Sequence, residues 1–241
     1  NLGLVYRQKG EPERAVRFHE KELQVFQRLA NRFKEAEALH NLGETYRQLG
    51  DSAKAEDYYK QSLAIARDIG DRTRVERILN SMGKVFLDSG EYKEAAQLFK
   101  QTLTIARQIG DRVGEGEVLG NLGELYQASG FTDRAIEYYN HALNISQESN
   151  DRRKTIKNMV RLGDLYLLNR DVEQALLHYE NGLVAAQEIS DQLQELGAFI
   201  KLGEAFDAQK NYTDSGRMYK RALLLARERN NRQIEQVMLT K

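Results

Sequence analysis

Cysteine and tryptophan are absent from the 241 residues, and proline occurs once. Without cysteine there can be no disulfide and no thiolate metal site, an absence that fits a reducing, cytoplasmic setting. Net charge is missing as well. Lys+Arg and Asp+Glu each total 36, so no overall field draws a polyanion or an acidic membrane surface. No run approaches the roughly 18 consecutive apolar residues that a membrane span requires; the stretch Ala222 to Ala226 is far too short. No cleavable signal segment is present. Charged residues make up 30% of the chain, which with so little proline suits long solvated helices.

What the chain does contain is a phrase repeated at fixed spacing. Gly3, Gly43, Gly83, Gly123, Gly163 and Gly203 stand 40 residues apart. Each follows an apolar residue (Leu2, Leu42, Met82, Leu122, Leu162, Leu202) and precedes an aromatic by three places (Tyr6, Tyr46, Phe86, Tyr126, Tyr166, Phe206). A constant period without insertions predicts a stack of equivalent supersecondary units rather than one globular core.

The unit from Arg32 to Asp71 shows the pattern best. Leu39, Leu42, Gly43 and Tyr46 fall at i, i+3, i+4 and i+7, one stripe of an α-helix. Gly50 can take the left-handed conformation that closes it. Ala55, Tyr58, Tyr59, Ser62, Leu63 and Ala66 form the stripe of a second helix. Gly70 repeats the stop, and Asp71 can accept the free N–H groups of the next helix. Two antiparallel helices per 40 residues follow. Small residues at Gly43 and Ala55 (with Ala15, Ala95, Ala135 and Ala175) sit where the helices must approach closely, and the aromatics read as core.

This pattern resembles the tetratricopeptide repeat along essentially the whole chain, on Leu42, Gly43, Tyr46, Ala55 and Tyr59 and their equivalents. The closing proline of the usual, shorter repeat is replaced by Gly-Asp-Arg at 70–72 and 110–112. The longer variant is similar to Pins-type adaptors and kinesin light chains, and to arrays in bacterial regulatory proteins. The resemblance implies an all-α fold, a right-handed α-α superhelix of antiparallel helix pairs with about six repeats. One continuous array over 1–241 is expected: a partial repeat 1–31, repeats 32–71, 72–111, 112–151, 152–191 and 192–231, and a partial first helix 232–241. Asn1 opens in mid-motif and Lys241 lies six periods later, which predicts a piece of a longer protein.

In this family the first helices line the concave side. Spacing then assigns a groove-facing set: Asn1 and Arg7; Glu37, His40, Asn41, Glu44 and Arg47; Arg77, Asn80 and Lys84; Asn121 and Glu124; Arg161 and Asp164; Lys201 and Glu204. Asn1, Asn41 and Asn121 share one motif position, interrupted by Ser81, Arg161 and Lys201. A primary amide both donates and accepts, so the resemblance implies a ladder that grips the backbone of an extended peptide; capping or solvation of their own turns is the alternative. The mixed charges favour a partner carrying both signs and argue against a nucleic-acid channel, where one sign should dominate. Gly114, Gly116 and Gly120 open one first helix, where a ligand or a neighbouring helix can come close; drift of a looser repeat explains them equally well.

Catalysis finds no support. His19, His40, His141 and His178 lie in different repeats without shared ligand spacing, and no phosphate-binding glycine loop occurs. The reading is therefore a non-enzymatic, cofactor-free scaffold or adaptor for an extended peptide of a partner protein, with no nucleic acid and no membrane insertion. Two alternatives stay open: a sensor or regulatory arm of a larger bacterial signalling ATPase or protease, and head-to-tail self-association through residues 232–241 and 1–9.

Overall fold

The computed structural model describes residues 2–229 and 231–239. Among them are thirteen α-helices and no strand. They are α1 (Leu2–Gln8), α2 (Pro12–Arg28), α3 (Arg32–Gln48), α4 (Ser52–Asp68), α5 (Arg72–Asp88), α6 (Tyr92–Ile109) and α7 (Arg112–Ala128), followed by α8 (Thr132–Glu148), α9 (Arg152–Leu168), α10 (Val172–Glu188), α11 (Gln192–Ala208), α12 (Tyr212–Glu228) and α13 (Arg232–Met238). The chain divides into two compact units, the first ending at Leu125 and the second beginning at Tyr126. Within each, successive helices pack as hairpins.

Most helix starts are fixed by side-chain caps, the starts of α2, α6 and α8 having none. Asn31, Asp51, Asp71, Asp151, Asp171, Asp191, Asn211 and Asn231 each accept a bond from the backbone N–H three residues on. Asp71, for example, accepts from Arg74 N at 2.9 Å. Each cap satisfies a donor that has no partner inside the helix and contributes about 1 kcal/mol.

Helix ends show the opposite economy. Gly50 turns with φ +78°, and the equivalent place in other turns is taken by Ala30, Asn150, Arg170, Ser190 and Lys210, all with positive φ. The turn therefore keeps its left-handed geometry where glycine has been lost, at a steric cost of about 1 kcal/mol for each side chain.

In five hairpins a glycine of the first helix meets a ring of the second. A Cβ on Gly43 would lie 2.5 Å from Tyr59 Cε1, and Gly83, Gly163 and Gly203 stand in the same relation to Phe99, Tyr179 and Tyr219. In the first hairpin His19 takes the ring position against Gly3. The neighbouring aromatic position stacks in parallel: Tyr46 on Tyr58 at 5.4 Å, Tyr126 on Tyr138 at 5.2 Å, and Tyr166 on His178 at 5.3 Å between centroids. Two of the four histidines thus fill aromatic core places, and burial lowers both of their pKa values.

Gly43→Ala should destabilise the first unit by about 1–3 kcal/mol through overpacking, even though alanine is the better helix former by about 1 kcal/mol. Arg170→Gly and Lys210→Gly should each stabilise by about 1 kcal/mol. Chemical denaturation of the three variants checks both signs.

Candidate interaction groove

A cavity of about 730 Å³ opens in the first unit. Its walls come from first helices and their entry turns: Leu4 and Arg7 of α1; Phe33, Glu37, His40, Asn41 and Glu44 of α3; Arg74, Glu76, Arg77, Ile78, Asn80, Ser81 and Lys84 of α5; Asp111, Val113, Gly114 and Glu117 at α7. Eight of the residues assigned from spacing line it: Arg7, Glu37, His40, Asn41, Glu44, Arg77, Asn80 and Lys84. Arg47 and Asn121 are not among its lining residues, and Asn121 is buried and bonded to Asn80. Glu124 is partly exposed on α7. Asn1 lies outside the described residues.

One cluster sits around the Tyr59 hydroxyl. The ring fills the space left by Gly43, which carries its hydroxyl to Glu44 Oε1 at 2.8 Å. Arg47 holds the other oxygen at 3.5 Å and reaches Asp88 of the next repeat at 2.9 Å. His40 Nε2 lies 3.1 Å from Ser81 Oγ and 3.9 Å from Glu44. Burial pushes His40 down to about 4, against the pull of Glu44, so it is neutral at pH 7. Burial works to raise Glu44, but Ser81, His40, Tyr59 and Arg47 together hold it at about 2. Glu44 is therefore a firmly ionised carboxylate whose first task is to satisfy a buried phenol.

A second cluster runs across repeats. Asn121 Nδ2 donates to Asn80 Oδ1 at 2.7 Å, Asn80 Nδ2 donates to Glu117 Oε1 at 2.9 Å, and Lys84 Nζ donates to the same oxygen at 2.9 Å. The amides are correspondingly covered: Asn41, Asn80 and Asn121 are 9%, 6% and 7% exposed. Asn41 faces the cavity, whereas Asn121 spends one donor on its neighbour's amide. The amides therefore differ in their surroundings despite similar motif positions.

In the second unit, Tyr179 donates to Asp164 at 2.8 Å, the counterpart of the Tyr59–Glu44 bond. Lys201 bridges Asp164 and Glu204 at 3.1 Å each. Arg161 stands beside them on α9, partly buried and outside these bonds. Four of the residues read from spacing thus lie on α9 and α11, three of them in one ion-paired group.

The sequence reading missed Glu76, Arg74, Phe33 and Asp111. Arg74 lies over the Phe33 ring at 4.2 Å and pairs with Asp71 at 3.1 Å. Glu76 is only 2% exposed, and burial with Asp111 and Glu117 nearby raises its pKa to about 7. Aligning the repeats exposes the anomaly. The same place holds Ala36, Ile156 and Leu196, each buried, so a carboxyl stands where three other repeats bury an apolar side chain.

A raised folded-state pKa means that the fold favours the protonated acid. The stabilisation is complete below the ordinary carboxyl value of 4.5 and is lost as pH rises through about 7. Glu76→Gln should therefore match the native chain near pH 4.5 and exceed it at pH 8 by about 2 kcal/mol. Thermal unfolding of both proteins across this range tests the sign.

No cluster of three or more His, Cys, Asp or Glu residues suited to a metal ion occurs among the described residues. None of their helices is long and apolar enough to cross a membrane. Models of the tetratricopeptide repeat match residues 1–68, 74–148, 114–188 and 198–233. No curated protein matches the chain. Among solved structures, BtubC (BKLC) from P. vanneervenii is similar at 22% identity and TM-score 0.82, covering 91% of this chain and 92% of its own. A signal-transduction ATPase with a tetratricopeptide repeat sensor from Pyrococcus horikoshii matches at 22% identity and TM-score 0.80, over 94% of this chain and 35% of its own. A Rap protein complexed with Competence and Sporulation Factor matches at 16% and 0.74, over 99% and 71%. With helical repeats matched along most of its length and hairpins of the same fold, the chain belongs to the tetratricopeptide repeat family.

Proposed function

We propose that the chain is a non-enzymatic scaffold that holds an extended peptide segment of a partner protein in the groove of α1, α3, α5 and α7. The observation that carries this reading is the groove itself: about 730 Å³, walled by polar and charged side chains from four successive first helices. Asn41 provides an amide on its wall for a peptide backbone, each bond contributing about 1 kcal/mol, while Asn80 is held by Asn121 and Glu117. Phe33 and Val113, half exposed at the groove, add apolar contact for side chains. Charges of both signs select the register of the guest and suit a protein partner better than a nucleic acid.

Asn41→Ala should weaken binding of a display-selected peptide by about fivefold while leaving the thermal midpoint of the second unit unchanged. Isothermal titration with that peptide is the check, and unchanged affinity would remove the amide mechanism.

A second reading has its own support. Similarity to the repeat sensor of a signalling ATPase favours a regulatory arm acting within a larger protein. A nucleotide-binding domain encoded in the same gene would establish that setting; a gene without one would end it. Head-to-tail assembly is the third possibility, and light scattering at rising concentration distinguishes it from a monomer. A cytoplasmic location accompanies all three readings.

A further inference from the structure

Glu76 presents a chemical problem that the other carboxyls of the groove do not. Its side chain is almost wholly buried and lines the cavity, yet no group among the described residues hydrogen-bonds to its carboxyl. A buried carboxyl without a donor is costly, and Ala36, Ile156 and Leu196 avoid the cost at this place in other repeats by being apolar. Nearby acids are already occupied. Asp111 Oδ1 accepts from Gly114 N at 2.7 Å, and Glu117 is held by Asn80 and Lys84. Of the cations around Glu76, Lys84 is engaged by Glu117, and Arg77 is exposed without an ion pair.

Gly114 keeps this corner open. A Cβ there would fall 2.7 Å from Asp111 Oδ2 and 3.2 Å from Glu76 Oε1. The helix therefore tolerates a glycine, at about 1 kcal/mol relative to alanine, where two carboxyls converge on the groove. What is lacking is a donor of positive charge. No group of three or more acids or histidines suited to a metal ion occurs among the described residues, whereas a single organic cation can bond one carboxylate.

We propose that Glu76, with Asp111 beside it and Gly114 as its open wall, is a subsite for a lysine or arginine side chain of the guest peptide. This rests on the groove reading above and names one side chain of its occupant. A guest ammonium or guanidinium supplies charge-assisted hydrogen bonds to Glu76 and neutralises the excess of carboxyl groups from α5 and from the start of α7. Burial, Asp111 and Glu117 oppose the ionisation of Glu76, whereas Arg77 and Lys84 favour it and only partly offset them. Occupancy therefore strengthens as Glu76 gives up its proton, between about pH 6 and pH 8.

The test uses the full chain and a small probe. Nα-acetyl-arginine methylamide is titrated against amide resonances, with the Gly114 N–H as reporter, and Nα-acetyl-norleucine methylamide is the uncharged control. The arginine probe is expected to shift Gly114 and to bind severalfold more tightly at pH 8 than at pH 6. Glu76→Gln is expected to lower its affinity about tenfold, remove the pH dependence and leave the remaining spectrum intact. Equal shifts from both probes, no loss in Glu76→Gln, or the same shifts from magnesium chloride would each overturn the subsite. Selection of extended peptides on the same chain separates the two readings. Bound peptides without an enriched cation would leave the groove standing and remove the subsite, whereas a failure to select any peptide would count against the groove itself.

Discussion

A ring seated against a glycine is the contact on which five of the hairpins depend. Gly43 and Tyr59 are 16 residues apart, and the ring comes so near the first helix that no Cβ fits between them. This approach fixes the spacing of the two helices and the direction of the phenol. Because the hydroxyl emerges on the far side of α3, it needs an acceptor there, and Glu44 supplies it. The same logic places Asp164 for Tyr179 and Asp207 for Tyr219. A packing requirement in the core thus decides which acids stand on the exposed face of the first helices.

That coupling gives the groove charges two kinds of standing. Glu44, Arg47 and Asp88 form a bonded set spanning two repeats, and Asn121, Asn80, Glu117 and Lys84 form another. Such sets are pre-organised, so a guest finds amides and charges already held in place, with less ordering to do on binding. Glu76 is of the other kind. It is buried without a donor and inclined to keep its proton, an arrangement that detracts from the stability of the free protein. Local rules broken at a cavity are where functional sites concentrate.

Much of this was legible beforehand. The 40-residue period, the stop at Gly50 and the cap at Asp71 are properties of short stretches, and the helices begin and end accordingly. Spacing also placed His40, Asn41, Glu44, Asn80 and Lys84 on the cavity wall. Glu76 was missed because a face-by-face reading looks for polar residues on the polar side. Only comparison of the same place across repeats, with Ala36, Ile156 and Leu196, marks it as out of register. Nor did the motif separate Asn41 from Asn121, although one faces the cavity and the other is bonded to Asn80.

The sequence by itself determined the helices, their caps, their pairing into hairpins and the faces that must be buried, because each depends on residues within one or two turns or one repeat of each other. The tertiary structure decided the partners of the polar groups. Asn121 and Asn80 are 41 positions apart, and Lys84 and Glu117 are 33 apart. Whether such groups meet depends on distances of a few tenths of an ångström between neighbouring helices and on the rotamers that packing permits. A periodic pattern specifies which side of a helix a residue occupies; hydrogen-bond geometry, set by the packed neighbours, specifies what it is free to bind.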